Sequence, residues 1–93
     1  MSEKALRMLK NMRMQIRMQI PIQGTRAASV WGAARSIGLK PGEGEFDILL
    51  KELLRGRYIE PYPSRSLAAH GLYRITDSGI SAADEADSPT ALR

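Results

Sequence analysis

Cations supply most of the chemistry open to this 93-residue chain, because groups that make bonds or hold metals are scarce. There is no cysteine, which excludes disulfides, thiolate metal sites and a cysteine nucleophile. His70 is the single histidine, so histidine-based zinc sites fall away and a catalytic triad has little room. Gly42 and Gly44 stand close together, yet the lysine and the preceding strand of a phosphate-binding loop are missing. No acid–base pair stands out. An enzyme is not expected, nor a cofactor or a bound metal.

The basic residues are unevenly placed. Within residues 1–40, Lys4, Arg7, Lys10, Arg13, Arg17, Arg26, Arg35 and Lys40 face Glu3 alone, a local charge of +7. Residues 41–60 carry −2 and residues 61–93 carry −1, so the whole-chain +4 hides the asymmetry. A basic first half suits a polyanion, nucleic acid most simply. A mildly basic surface kept for solubility is the plainer explanation of the same charge. The apolar share of 43% and charged share of 26% are those of an ordinary folded domain. Apolar runs fall far short of the roughly 20 residues that cross a bilayer, and no secretory segment follows the N-terminus. The expected location is cytoplasmic, with no membrane partner.

Periodicity supplies the elements that must carry these groups. Ser2 is a candidate N-cap, and Ala5, Leu6, Leu9, Met12, Ile16 and Ile20 share one helical face, with Lys4, Arg7, Asn11 and Gln15 opposite. Even positions from Met12 to Ile22 also alternate like a strand. Met, Gln and Arg favour the helix, so the spacing predicts a helix over 2–17 and an extended piece over 19–23. Pro21 and Gly24 break the chain, and Thr25 is a candidate cap for a small-residue helix built from Ala27, Ala28, Val30, Trp31, Ala33 and Ala34. That helix ends at Ile37, Gly38 takes the left-handed closing position, and Pro41 stops the chain beyond it. Glu45 and Asp47 suit the first turn of a third helix, whose buried stripe is Phe46, Leu49, Leu50, Leu53 and Leu54 and which Gly56 ends. Residues 58–62 and 72–76 read as two strands of a hairpin, joined by a polar connector over 64–71. Thr76 or Asp77 caps a last helix over 79–86, and residues 88–93 read as a frayed tail beyond a single domain of 1–87. Trp31 and Phe46 are expected core anchors. Met14 and Met18 lie off the main stripe, either as a face for a partner helix or packed under the C-terminal helix.

The order of these elements resembles a winged helix–turn–helix domain. The likeness is carried by Leu49-Leu50-Lys51-Glu52-Leu53-Leu54-Arg55-Gly56-Arg57-Tyr58-Ile59-Glu60, similar to a recognition helix running into a first wing strand. It is carried also by Leu72-Tyr73-Arg74-Ile75-Thr76-Asp77-Ser78-Gly79, similar to the closing wing strand and following helix of MarR-like and PadR-like regulators. With Ser29–Leu39 as the first helix of the turn, the resemblance covers about residues 25–80. It implies an α+β, mainly α fold: a three-helix core, a two-stranded β wing and a short C-terminal helix.

The same resemblance implies a binding mode. In such domains the exposed start of the second helix reaches base edges while other groups grip phosphate. Here those positions are Glu43, Gly44, Glu45, Asp47, Ile48 and Lys51, and three are acidic, a departure from the family pattern. Arg26, Arg35, Lys40, Lys51 and Arg55 are the candidate phosphate contacts, and Arg65, with Ser64, Ser66 and His70, sits in the wing, where an arginine can enter a minor groove. His70 also has the plainer reading of an exposed loop residue. The expected function is a small transcriptional regulator or a phage- or plasmid-type accessory factor that binds double-stranded DNA. A homodimer, formed through the N-terminal helix at Met14 and Met18, is the expected assembly. The alternative is a protein–protein interaction module that docks a basic partner on the acidic face of the third helix without binding DNA.

Overall fold

The computed structural model describes residues 1–18, 27–61 and 71–87. It is an α+β fold, mainly helical. In chain order it comprises α1 (Glu3–Met18), β1 (Ala27–Ser29), α2 (Val30–Ser36), α3 (Gly44–Arg55), β2 (Ile59–Pro61), β3 (Leu72–Ile75) and α4 (Asp77–Asp87). The three strands form one antiparallel sheet in the order β1-β3-β2.

Helix α1 is the hub, packing against α2, α3, α4 and β1. Its Ala5, Met8, Leu9 and Met12 are fully buried, and Ser2 opens it as foreseen, the hydroxyl accepting from the Ala5 N–H at 3.2 Å. The strand alternation from Met12 onward is therefore overruled as far as Met18, since only a helix turns Met8, Leu9 and Met12 to one side. The extended piece over 19–23 lies outside the described residues.

Two expectations about the next segment are corrected. Ala27 and Ala28 belong to β1, paired with Arg74 and Tyr73, so the sheet has three strands rather than two. The helix begins later, capped by Ser29, whose hydroxyl accepts from the Gly32 N–H at 3.0 Å; Thr25 lies outside the described residues. Small residues permit either conformation here, and the free edge of β3 decides. Because α2 starts at Val30, its inward positions are Val30, Ala33 and Ala34, and Trp31 falls outside, 36% exposed, with its ring over Gly71. Trp31 is thus not a core anchor, whereas Phe46 is buried.

Gln15, expected on the outer face of α1, instead ties that helix to β1. Its amide donates to the Ser29 carbonyl at 2.9 Å and accepts from the Ser29 N–H at 2.8 Å. A side chain here takes the place of a neighbouring strand. Gln15→Leu strands both backbone groups in a half-buried site and should cost about 1–3 kcal/mol in denaturant unfolding, against a few tenths for Arg17→Ala on the exposed side.

Both turns flanking α3 follow from backbone bonding. At the end of α2, Gly38 has φ 84° and donates to the Arg35 carbonyl while Leu39 donates to that of Ala34, as the glycine signal anticipates. The same closure ends α3, but the left-handed residue is Arg57 at φ 60°, not Gly56. Arg57 donates to the Leu54 carbonyl and Tyr58 to that of Leu53. Gly56 is required by close approach, since a Cβ there would meet the Tyr58 ring.

Phe46, Leu49 and Leu53 bury the inner face of α3 with Ile59 and Ile75. Full burial of a residue such as Leu53 stabilises by about 1.5–3 kcal/mol. Across β2 and β3, Glu60 stands opposite Arg74 and pairs with it at 3.0 Å, and Pro61 occupies an edge strand where its missing N–H costs no ladder bond. Thr76 caps α4, accepting from the Gly79 N–H at 3.0 Å.

Two carboxylates clasp α1 to its neighbours. Glu52 of α3 accepts from the Ser2 backbone N–H at 2.5 Å and from its hydroxyl at 2.9 Å, and these bonds hold its pKa below the ordinary carboxylate value. Asp84 of α4 receives the Arg13 guanidinium at 3.0 and 3.3 Å and is likewise held low, first by that hydrogen bond. A carboxylate with a depressed folded pKa adds stability above its unfolded pKa and loses it as pH falls through the folded one. Thermal melts should therefore show a midpoint that declines below about pH 4.5, with the decline shallower in Glu52→Gln and Asp84→Asn. Both clasps face solvent, so the effect is small and shrinks with salt.

Candidate nucleic-acid interface

The inner face of α3 is buried, and its outer face is open. Glu45, Asp47, Ile48, Lys51 and Arg55 are all exposed, Ile48 by 66%. Ile48, Lys51, Glu52 and Arg55 recur at three- and four-residue spacing and line one shallow groove along the helix. The helix is about 18 Å long at 1.5 Å per residue, enough to lie within a groove about 12 Å wide.

Each acidic group at the start of this helix has a nearby positive or donor group. Glu45 pairs with Lys4 of α1 at 2.6 Å, and Asp47 pairs with Lys51 one turn on at 3.0 Å. Glu43 turns back across the α2–α3 connection and accepts from the Lys40 backbone N–H at 3.2 Å. The carboxylates thus serve locally: they close the turn, tie α1 to α3, and stand at the positive end of the helix dipole. What repulsion they would present to a polyanion is reduced by Lys4 and Lys51.

Of the candidate phosphate contacts, four lie among the described residues. Arg35 stands in the last turn of α2, Lys40 in the connection before α3, and Lys51 and Arg55 on the exposed face of α3. Arg35, Lys40 and Arg55 make no side-chain hydrogen bond or ion pair among the described residues, whereas Lys51 is shared with Asp47. Arg26, Arg65 and His70, and with them the expected wing contacts, lie outside the described residues.

One group went unselected in the sequence. Arg57 is exposed at the junction of α3 and β2, with no side-chain partner among the described residues, and its left-handed backbone turns the chain there. The Arg55-Gly56-Arg57 run is the signal that could have found it, because a glycine at a helix end leaves flanking side chains uncovered. Cations therefore flank α3 at both ends, with Lys51 between.

Met14 and Met18 are 56% and 77% exposed, so neither packs under α4. Arg13 makes that contact instead, through Asp84. No helix among the described residues is long and apolar enough to cross a membrane, and no group of three metal-ligating side chains occurs among them. No family model, curated protein or solved structure matches the chain.

Proposed function

We propose that this chain is a winged helix–turn–helix protein that binds double-stranded DNA, with α3 as the helix that enters the major groove. The supporting observation is that α3 leaves one face open, with Lys51 and Arg55 exposed on it, while its first-turn carboxylates are occupied by Lys4 and Lys51. Exposed Ile48 is the apolar group on that face, suited to a thymine methyl. Arg35, Lys40, Lys51, Arg55 and Arg57 supply the phosphate contacts that fix register. The role is that of a small transcriptional regulator or accessory factor, with no chemical step of its own.

Binding to a mixed-sequence duplex at low salt tests the proposal. Affinity should appear near 50 mM salt and fall steeply toward about 200 mM. Glu45→Ala with Asp47→Ala should hold or raise that affinity, since it removes two negative charges and frees Lys51. Absence of affinity, or affinity indifferent to salt, overturns the proposal. Loss of affinity in the double variant would instead assign these carboxylates a direct base contact, such as accepting from cytosine N4.

A further inference from the structure

The outward face of α1, opposite its buried stripe, forms one wall and the floor of a concavity of about 740 Å³ whose other wall is the end of α2. Met14 and Met18, one helical turn apart, and Ile37 supply its apolar surface, and Arg7, Arg13 and Arg17 surround them. Single exposed apolar side chains are ordinary on a surface, but here two methionines and an isoleucine line the same groove. None of the residues of the proposed DNA contact lines this groove, although Arg35 stands beside its α2 wall.

We propose that this groove docks an acidic amphipathic helix of a partner protein. Charge complementarity selects the occupant. Arg7 and Arg13 pair with Glu3 and Asp84, and Arg17 also acts on Asp84, so three arginines against two carboxylates leave the rim net positive. A second copy placed face to face would set these arginines against their own counterparts, which disfavours self-association here. A duplex meets the arginines but leaves Met14, Met18 and Ile37 without apolar partners. A helix bearing apolar residues at three- and four-residue spacing reaches that floor, and its flanking Glu and Asp meet the rim. Methionine suits such a floor because its unbranched side chain repacks around different apolar groups.

The probe is a stapled, fluorescein-labelled helical peptide with Leu at three- and four-residue spacing and Glu elsewhere, compared with a counterpart carrying Lys for Glu. Fluorescence anisotropy with the full chain should show binding of the acidic peptide alone, weakening as salt rises. Met14→Ser with Met18→Ser should reduce that affinity about tenfold or more, as loss of central apolar contacts does. Arg17→Glu should reduce it also. Both methionines are exposed, so the melting temperature of the double variant should hold, as should DNA binding through α3. The two proposals can therefore fail separately. Equal binding of both peptides, no binding of the acidic one, or unchanged affinity in the double variant overturns the inference. A dimer in sedimentation that the methionine variant abolishes overturns it in favour of a second copy. Binding to phosphatidylserine vesicles lost in that variant assigns the face to a membrane and overturns it as well.

Discussion

Gly79→Ala should lower the unfolding midpoint by roughly 5–20 °C, from an overpacking cost of about 1–3 kcal/mol in a domain of this size. Gly79 is buried in the first turn of α4, and a Cβ there would collide with the Tyr58 carbonyl oxygen and lie 2.8 Å from the Ile75 side chain. The carbonyl cannot swing aside cheaply, because it accepts from the Thr76 N–H at 3.0 Å and is within 3.0 Å of the Thr76 hydroxyl. Those bonds join the α3–β2 corner to the start of α4. Separating the backbones to admit a methyl group therefore loosens two contacts at once. Gly44→Ala is the control: it opens α3, has open space around it and lacks a positive φ, so it should be neutral or slightly stabilising. Equal midpoints for the two variants in a calorimetric scan would show that the close approach does not matter.

Lys51→Ala with Arg55→Ala should weaken duplex binding by about ten- to a hundredfold near 50 mM salt and make the salt dependence shallower by about two counterions. Both residues project from the open face of α3, so the loss is local and the fold should survive; the Lys51–Asp47 pair is exposed and contributes little. Arg7→Ala with Arg17→Ala removes the same charge from the outer face of α1 and distinguishes contact from overall charge. If both double variants lose affinity equally, binding follows net charge and α3 has no special part in it. Fluorescence anisotropy across a salt series measures both slopes.

Most of the helical framework was legible because its signals are local. The spacing of Ala5, Leu9 and Met12, the hydroxyl of Ser2, the leucine ridge of α3 and the Thr76 cap each depend on residues within a turn or two of one another. Gly38 was legible for the same reason, since a helix end needs a residue free to adopt positive φ. Met8 escaped the apolar stripe because burial on three sides widens the face of α1 beyond what a surface helix requires.

The candidate interface was legible only as an inventory of charges. Which cations are committed and which stand open depends on pairings between remote positions, such as Lys4 with Glu45, Arg13 with Asp84 and Ser2 with Glu52. No spacing rule reaches 41, 71 or 50 residues along a chain.

By itself, then, the amino-acid order determined the span of α1, the ends of α2 and α3 and which ridge of α3 turns inward, because those choices are settled by backbone bonding and periodicity over a few residues. Tertiary structure alone decided that Ala27–Ser29 joins the sheet, that Trp31 faces out, and that Gln15 holds a strand. Each depends on an edge or a space created by segments distant in the chain. Small residues such as Ala27 and Ala28 have too weak a preference of their own to resist it.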